Sequence, residues 1–243
     1  MRPFFVRLGS KYKLREYIIK HLPDTDSYNT YVEPFAGSAS IFFNLDLNHH
    51  RVILNDVDKE LITAYKLIRT VNKERLPILH SKSEMNKLIY QSGKNDEEQL
   101  MAYLYKTSNS FMSVSHNYLW KDSSLASKVK RIDEVREKIK NVKFSHHDAI
   151  NVIMKYDQVG TFMFIDPPYE SSDYLYKDDE FDYEKLANAL NGAKCKFMIT
   201  LNDSKTIRHI FKGYNIRRYT VKAMSVLGRI AGKDRHEVMI TNY

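Results

Sequence analysis

Residues 161–165, Thr-Phe-Met-Phe-Ile, run apolar and stop at Asp166-Pro167-Pro168-Tyr169. An apolar run without alternation reads as a strand buried on both faces, the central strand of an α/β sheet. Proline has no N–H and fixes its own φ, so two in succession end the strand and set the direction of the local carbonyls. One carboxylate, one aromatic ring and two carbonyls outside the ladder are thereby gathered at the carboxyl end of a central strand, where open α/β sheets bind ligands. The alternative is a surface turn capped by an aspartate. With Pro at roughly 5% of residues the string arises by chance in about one chain in a thousand of this length, which favours the site.

Such a corner can grip an exocyclic amino group. The amino nitrogen of adenine is a poor nucleophile because its lone pair is delocalised into the ring. A catalyst must accept hydrogen bonds from both N–H bonds and draw the nitrogen toward tetrahedral geometry, and Asp166 with the Pro167 carbonyl offers the two acceptors. The Tyr169 ring can stack on the face of a planar base.

At 243 residues the chain is long enough for one α/β domain with an inserted subdomain. A net charge of +8 and a pI near 9.3 suit a polyanionic partner without proving one. Cys195 is the single cysteine, which excludes an intrachain disulfide and a Cys-rich zinc site and fits a reducing compartment. No signal sequence or apolar run of membrane-spanning length is evident, so a soluble cytoplasmic protein is expected, with no membrane partner.

Strands are predicted at residues 31–34, 51–55, 161–165 and 196–200, and helices at 11–20, 40–45 and 184–190. Residues 216–223 and 237–242 predict a closing antiparallel hairpin around a loop with Gly228, Arg229, Gly232 and Lys233. The strand pattern lapses between Lys66 and Asn141, where Val129, Ile132, Val135 and Ile139 keep helical spacing. The expected organisation is a catalytic domain of residues 1–65 and 142–243, interrupted by a mainly helical subdomain of residues 66–141.

A second constellation is Glu33-Pro34-Phe35-Ala36-Gly37-Ser38-Ala39-Ser40, set between the first predicted strand and a helix. Its small residues let a ligand approach the backbone, but it has neither the G-x-G-x-x-G spacing nor the P-loop lysine of a phosphate cradle. An acidic residue here suggests a ligand with a cationic part. Asp56 follows Gly37 by 19 residues, at the end of the next strand, where a carboxylate can take both ribose hydroxyls. Its alternative is to cap a helix from Lys59 onward, and Ser38 and Ser40 can equally cap the helix after the loop.

Taken in order, Gly9-Ser10-Lys11, the Glu-Pro-Phe-Ala-Gly loop, Asn55-Asp56-Val57-Asp58 and Asp-Pro-Pro-Tyr resemble the Dam-like (D12 class) DNA adenine N6-methyltransferases. The similarity spans nearly the whole chain, including residues 237–243, and is weakest between about Lys66 and Asn141. The resemblance implies a Rossmann-like methyltransferase sheet, S-adenosylmethionine as donor with S-adenosylhomocysteine as product, a flipped adenine in double-stranded DNA as acceptor, and target recognition by the insertion. It places Lys11 beside the methionine end of the cofactor, Glu33, Pro34, Phe35 and Gly37 along its body, and Asp56 at the ribose. Asp148 falls where the family has a carboxylate near the cofactor adenine, and Asp166, Pro167, Pro168 and Tyr169 form the catalytic corner, with Asp166 counted among the cofactor-binding residues as well. The family's usual Trp-Ala-Gly-Gly-Lys is replaced here by Arg7-Leu8-Gly9-Ser10-Lys11, so an aromatic contact is missing: either cofactor affinity is weakened or Arg7, counted among the cofactor-binding residues, takes another role. A His146-His147-Asp148 metal cluster is the competing reading of that segment; three adjacent ligands rarely converge on one ion, so no metal is expected.

In the insertion Asn109, His116, Asn117 and Tyr118 are the residue types that reach bases or phosphates, with a satisfied loop as the equal alternative for each. Lys128, Lys130 and Arg131 read as a solvated helix face. In the closing segment Arg229, Lys233 and Arg235 can hold phosphates and help offset the cost of unstacking a base. Cytosine N4 methylation, an RNA or protein acceptor, and a catalytically silent nucleic-acid-binding protein all share this scaffold, since fold does not decide substrate. Restriction protection, repair marking and viral modification are all compatible roles, and a monomer is the simplest oligomeric expectation.

Overall fold

A computed structural model describes residues 1–5, 7, 9–91, 94–109, 125–169, 181–222 and 234–243, with the side chain of Asn109 also outside the description. The helices are α1 (Arg15–Ile19), α2 (Lys59–Leu67), α3 (Lys82–Tyr90), α4 (Asp96–Asn109), α5 (Leu125–Val129), α6 (Ile132–Ile139), α7 (Ala149–Tyr156), α8 (Tyr183–Leu190) and α9 (Lys205–Ile210). The strands are β1 (Thr30–Glu33), β2 (Arg51–Asn55), β3 (Lys143–Ser145), β4 (Thr161–Ile165), β5 (Lys196–Asn202), β6 (Asn215–Val221) and β7 (Arg235–Thr241). They gather into two compact units, Met1–Leu22 with Ala36–His147, and Pro23–Phe35 with Asp148–Tyr243. The protein is mixed α/β, as its strand-and-helix pattern predicts, and consistent with the Rossmann-like methyltransferase sheet that the resemblance implies. No helix among the described residues is long and apolar enough to cross a membrane.

In the first unit β2 and β3 pair in parallel, Ile53 opposite Lys143 and Asn55 opposite Ser145. Asn55 is fully buried and closes the ends of both strands. Its Oδ1 accepts from the Ser145 hydroxyl at 2.8 Å and the His147 N–H at 3.0 Å, while its Nδ2 donates to the His147 carbonyl at 3.0 Å. The core beside these strands is aromatic. Tyr65 of α2 stacks on Phe144 with centroids 5.3 Å apart, and Phe5 meets both Tyr65 and Tyr103 edge-on. Arg69 lies over the Phe144 ring and donates to the carbonyls of Ile139 and Val142, fixing the approach to β3. Residues 66–141 fall wholly inside this unit and hold no strand among the described residues.

In the second unit five strands lie in the order β1-β4-β5-β7-β6. The first three are parallel, β7 joins β5 antiparallel, and β6 pairs with β7 as the closing hairpin. All five residues of β4 are buried, as a strand with neighbours on both edges requires. β6 is the edge strand, and Tyr219 is its one buried residue. Helix α8 starts on an Asp182 cap and α9 on a Ser204 cap, each side chain accepting from the N–H three residues on.

Local structure departs from the sequence pattern in three places. Residues 11–20 split into a 3-10 turn, Lys11–Leu14, followed by α1. Residues 40–45 give only the 3-10 turn Phe42–Asn44, because Ala39 takes φ +49° and Ser40, Ile41, Phe42 and Phe43 are all buried, leaving no polar face for a surface helix. The helical spacing of residues 126–140 breaks between α5 and α6. Lys128 is also not on a solvated face, since its ammonium donates to Ser108 of α4 at 2.6 Å and burial pushes its pKa down to about 8.

Cys195 is 1% exposed at the start of β5, and burial, with Asp157 beside it, raises its thiol pKa well above the ordinary value. It should therefore resist Ellman's reagent in the native protein and react with one equivalent only on unfolding, as absorbance at saturating reagent would show.

Candidate active site

In the first unit the loop after β1 is pinned to the end of β2. The Ala36 N–H donates to the Asn55 carbonyl at 2.7 Å. The Gly37 N–H donates to Asp56 Oδ2 at 2.8 Å, and the Gly37 carbonyl accepts from the Tyr65 hydroxyl at 3.2 Å. Gly37 has φ +47°, and a Cβ built on it would meet nothing within 4 Å, so the space beside this backbone is open. Asp56 is 9% exposed, and its Oδ1 accepts from the Asp58 N–H at 2.9 Å. Burial holds its pKa above the usual carboxylate value, against the opposing pull of the two backbone N–H groups and Arg7.

The helix cap read as an alternative for Asp56 belongs to Asp58, which accepts from the Leu61 N–H at 3.0 Å at the start of α2. Arg7 donates to the same Asp58 at 2.7 Å and lies 3.5 Å from the Tyr103 hydroxyl of α4. The Arg7 guanidinium is therefore part of the support beneath Asp56. Ser38 and Ser40 cap no helix. With Ser10 they close a ring of hydroxyls 2.7, 2.7 and 2.9 Å apart, tying the Gly9-Ser10-Lys11 segment to the Gly37 loop. Lys11 is 6% exposed, and its ammonium donates to the Gly9 carbonyl at 3.0 Å.

In the second unit the register of β4 and β5 sets Ile165 opposite Ile199, so the next residue of each strand falls side by side. Thr200, fully buried, donates to Asp166 Oδ1 at 2.7 Å and fixes the carboxylate's orientation. Pro167 is buried and Pro168 exposed. The Pro168 carbonyl accepts from the Tyr183 hydroxyl at 2.7 Å, Tyr183 meets Phe181 edge-on at 5.2 Å, and Phe181 meets Phe35 edge-on at 5.5 Å. An aromatic chain thus joins Phe35 to the Asp-Pro-Pro-Tyr corner. Tyr169 is half-buried and donates to Glu237 Oε2 at 2.9 Å. Glu33 is 1% exposed and accepts from Tyr31 at 2.7 Å, with Pro34 buried beside it. Asp148 is exposed and caps α7 by accepting from the Asn151 N–H at 3.0 Å. No group of three His, Cys, Asp or Glu side chains among the described residues could hold a metal ion.

Of the residues read as nucleic-acid contacts, Arg235 is exposed at the start of β7, opposite Val221. Asn109 ends α4, and His116, Asn117, Tyr118, Arg229 and Lys233 lie outside the described residues. Sequence reasoning missed Thr200, Tyr183, Phe181 and Glu237. Thr200, Tyr183 and Glu237 lie 34, 15 and 68 residues from the motif residues they bond, so only the pleat alternation of β5 and β7 carried a signal, and alternation marks a face without naming a partner.

Among curated proteins, the type II methyltransferase M1.LlaDCHI of Lactococcus lactis subsp. cremoris is 23% identical over 278 residues, covering 100% of this chain and 96% of its own. The type II methyltransferase M.CviBI of Paramecium bursaria Chlorella virus NC1A is 24% identical over 262 residues and covered in full, as is this chain. A DNA adenine methylase of Vibrio cholerae is 41% identical over 69 residues, 28% of this chain and 23% of its own. The family model for D12 class N6 adenine-specific DNA methyltransferases matches residues 8–100 and 98–226, which contain the Gly37 loop, Asp56 and the Asp166 corner described above. With most of its length and both motifs inside that match, the chain belongs to the D12 class N6 adenine-specific DNA methyltransferase family.

Proposed function

We propose that this protein transfers a methyl group from S-adenosylmethionine to the N6 amino group of adenine in double-stranded DNA. The observation that carries the reading is Asp166, held by Thr200 at the carboxyl end of β4 and followed by the aromatic Tyr169. S-adenosylmethionine, when bound, supplies a methyl group activated on a sulfonium. The first unit fits such a ligand: the open space beside Gly37 admits it close to the backbone, and each Asp56 oxygen has a second lone pair for a ribose hydroxyl. Lys11 serves the methionine end, Glu33, Pro34 and Phe35 the body, and Asp148 the adenine end, as the resemblance implies.

At the acceptor, Asp166 and the Pro167 carbonyl take the two amino N–H bonds, which returns the lone pair to the nitrogen for in-line attack. Tyr169 stacks on the ring. A base paired inside a duplex cannot reach these groups, so the target leaves the stack at a cost of a few kcal/mol. Contacts of the insertion, residues 66–141, and of Arg235 with DNA help offset that cost and select the site. The test is transfer from labelled S-adenosylmethionine into unmethylated duplex DNA, with product nucleosides resolved after digestion. Label in N6-methyladenine is expected; label in N4-methylcytosine, in RNA alone, or nowhere with a folded protein overturns the reading.

Gly37→Ala gives an independent check on the donor half. A Cβ there meets no protein atom, so only the left-handed φ costs stability, about 1 kcal/mol. The same methyl group occupies the space proposed for the ligand, and affinity for S-adenosylhomocysteine by calorimetry is expected to fall by about tenfold or more with the melting temperature nearly unchanged.

A further inference from the structure

Glu237 is a buried carboxylate that the chemistry above leaves unused. It stands in β7 among Val238, Met239 and Ile240, is 8% exposed, and lies beyond the last residue the family model matches. A charge at such a position costs several kcal/mol unless hydrogen bonds replace its water. Two phenols supply them: Tyr169 donates to Oε2 at 2.9 Å and Tyr219, opposite in β6, at 2.7 Å. Burial, the Asp166 charge and Glu237 itself all raise the Tyr169 pKa, so the hydroxyl stays protonated and remains a donor.

A tyrosine hydroxyl lies on the axis of the second side-chain torsion, so holding it fixes the first torsion and hence where the ring sits, while the in-plane preference of the phenolic O–H biases the second. We propose that Glu237, braced by Tyr219, is a positioning residue that acts through the Tyr169 hydroxyl to hold the ring at the place where the acceptor base stacks. The inference rests on the methyltransferase reading but concerns a residue to which that reading assigns nothing. It explains why a core position of β7 carries a carboxylate where valine or leucine would pack at lower cost, and why the motif residue is tyrosine rather than phenylalanine.

The experiment is a double-mutant cycle on transfer into unmethylated duplex DNA at saturating S-adenosylmethionine, using Glu237→Ala, Tyr169→Phe and the double variant. Each single change is expected to lower kcat/KM for DNA by roughly 10- to 100-fold with S-adenosylhomocysteine affinity unchanged, the double variant to be no worse than the weaker single, and Glu237→Gln, which keeps an acceptor oxygen, to recover most activity. Multiplicative losses, or full activity in Tyr169→Phe, overturn the proposal. Wild-type labelling judges the reaction, whereas the ratios among variants judge Glu237.

A second measurement needs no activity. With tyrosine labelled at the ζ carbon, the Tyr169 resonance, assigned through Tyr169→Phe, should shift in Glu237→Ala and titrate at lower pH than in the wild type. The direction follows because a negative charge and an acceptor for the protonated form have both been removed. An unmoved resonance and an unmoved titration overturn the proposal even if Glu237→Ala is otherwise folded.

Discussion

Asp166→Ala is expected to reduce methyl transfer by about a hundred- to a thousandfold or more while leaving the fold intact. Asp166 follows the last residue of β4, is only half-buried, and accepts from the Thr200 hydroxyl. Truncation leaves the Thr200 hydroxyl without that acceptor, a stability loss of about 1 kcal/mol that a chain of this size tolerates. The catalytic loss is larger, because the acceptor that draws the amino nitrogen out of conjugation disappears from a site preorganised to hold it. Single-turnover rates with labelled S-adenosylmethionine, beside calorimetric affinity for S-adenosylhomocysteine, separate the two effects. A folded variant within about fivefold of the wild-type rate would remove Asp166 from the mechanism.

The strands that carry the site were legible because each announces its own end. β2 and β4 occupy the predicted residues, β4 stopped by Pro167 and Pro168 and β2 by the acidic corner after Asn55. β3 escaped because it is three residues long with Phe144 as its one buried member, too short for any period to register. Within Asn-Asp-Val-Asp the sequence offers two carboxylates for one cap and one ligand site. Only the backbone decides that Asp58 caps α2 while Asp56 turns back to Gly37. The serine ring illustrates a further limit. Ser38 and Ser40 look like caps because capping is a local relation, whereas their partner Ser10 is 28 to 30 residues away. Glu237 and Thr200 belong to the same class: their function is a long-range bond, invisible to any window that reads neighbours.

That division of labour in Asn-Asp-Val-Asp leads to the second large effect. Asp56→Asn is expected to lower affinity for S-adenosylhomocysteine by about a hundredfold or more, since two hydrogen bonds from ribose hydroxyls to a carboxylate are worth about 1.5–3 kcal/mol each. Stability should change much less, because two contributions oppose each other. The variant loses one acceptor for a backbone N–H, as the Asp56 oxygens serve Gly37 and Asp58 separately. It also removes a desolvated charge, and burial is the largest influence on the pKa of this group. The sign follows from proton uptake. A folded-state pKa above the unfolded one means the native protein binds more protons between the two values, so stability falls as pH rises through that window. The ionised form at neutral pH therefore opposes folding, which is intelligible if the carboxylate is kept for a ligand. Cofactor affinity should follow the opposite course, present above the raised pKa and lost as acidification protonates Asp56. Calorimetric titrations of S-adenosylhomocysteine across pH 4 to 8 should show that loss in the wild type and its absence in Asp56→Asn; an unchanged affinity in the variant would place the ribose elsewhere.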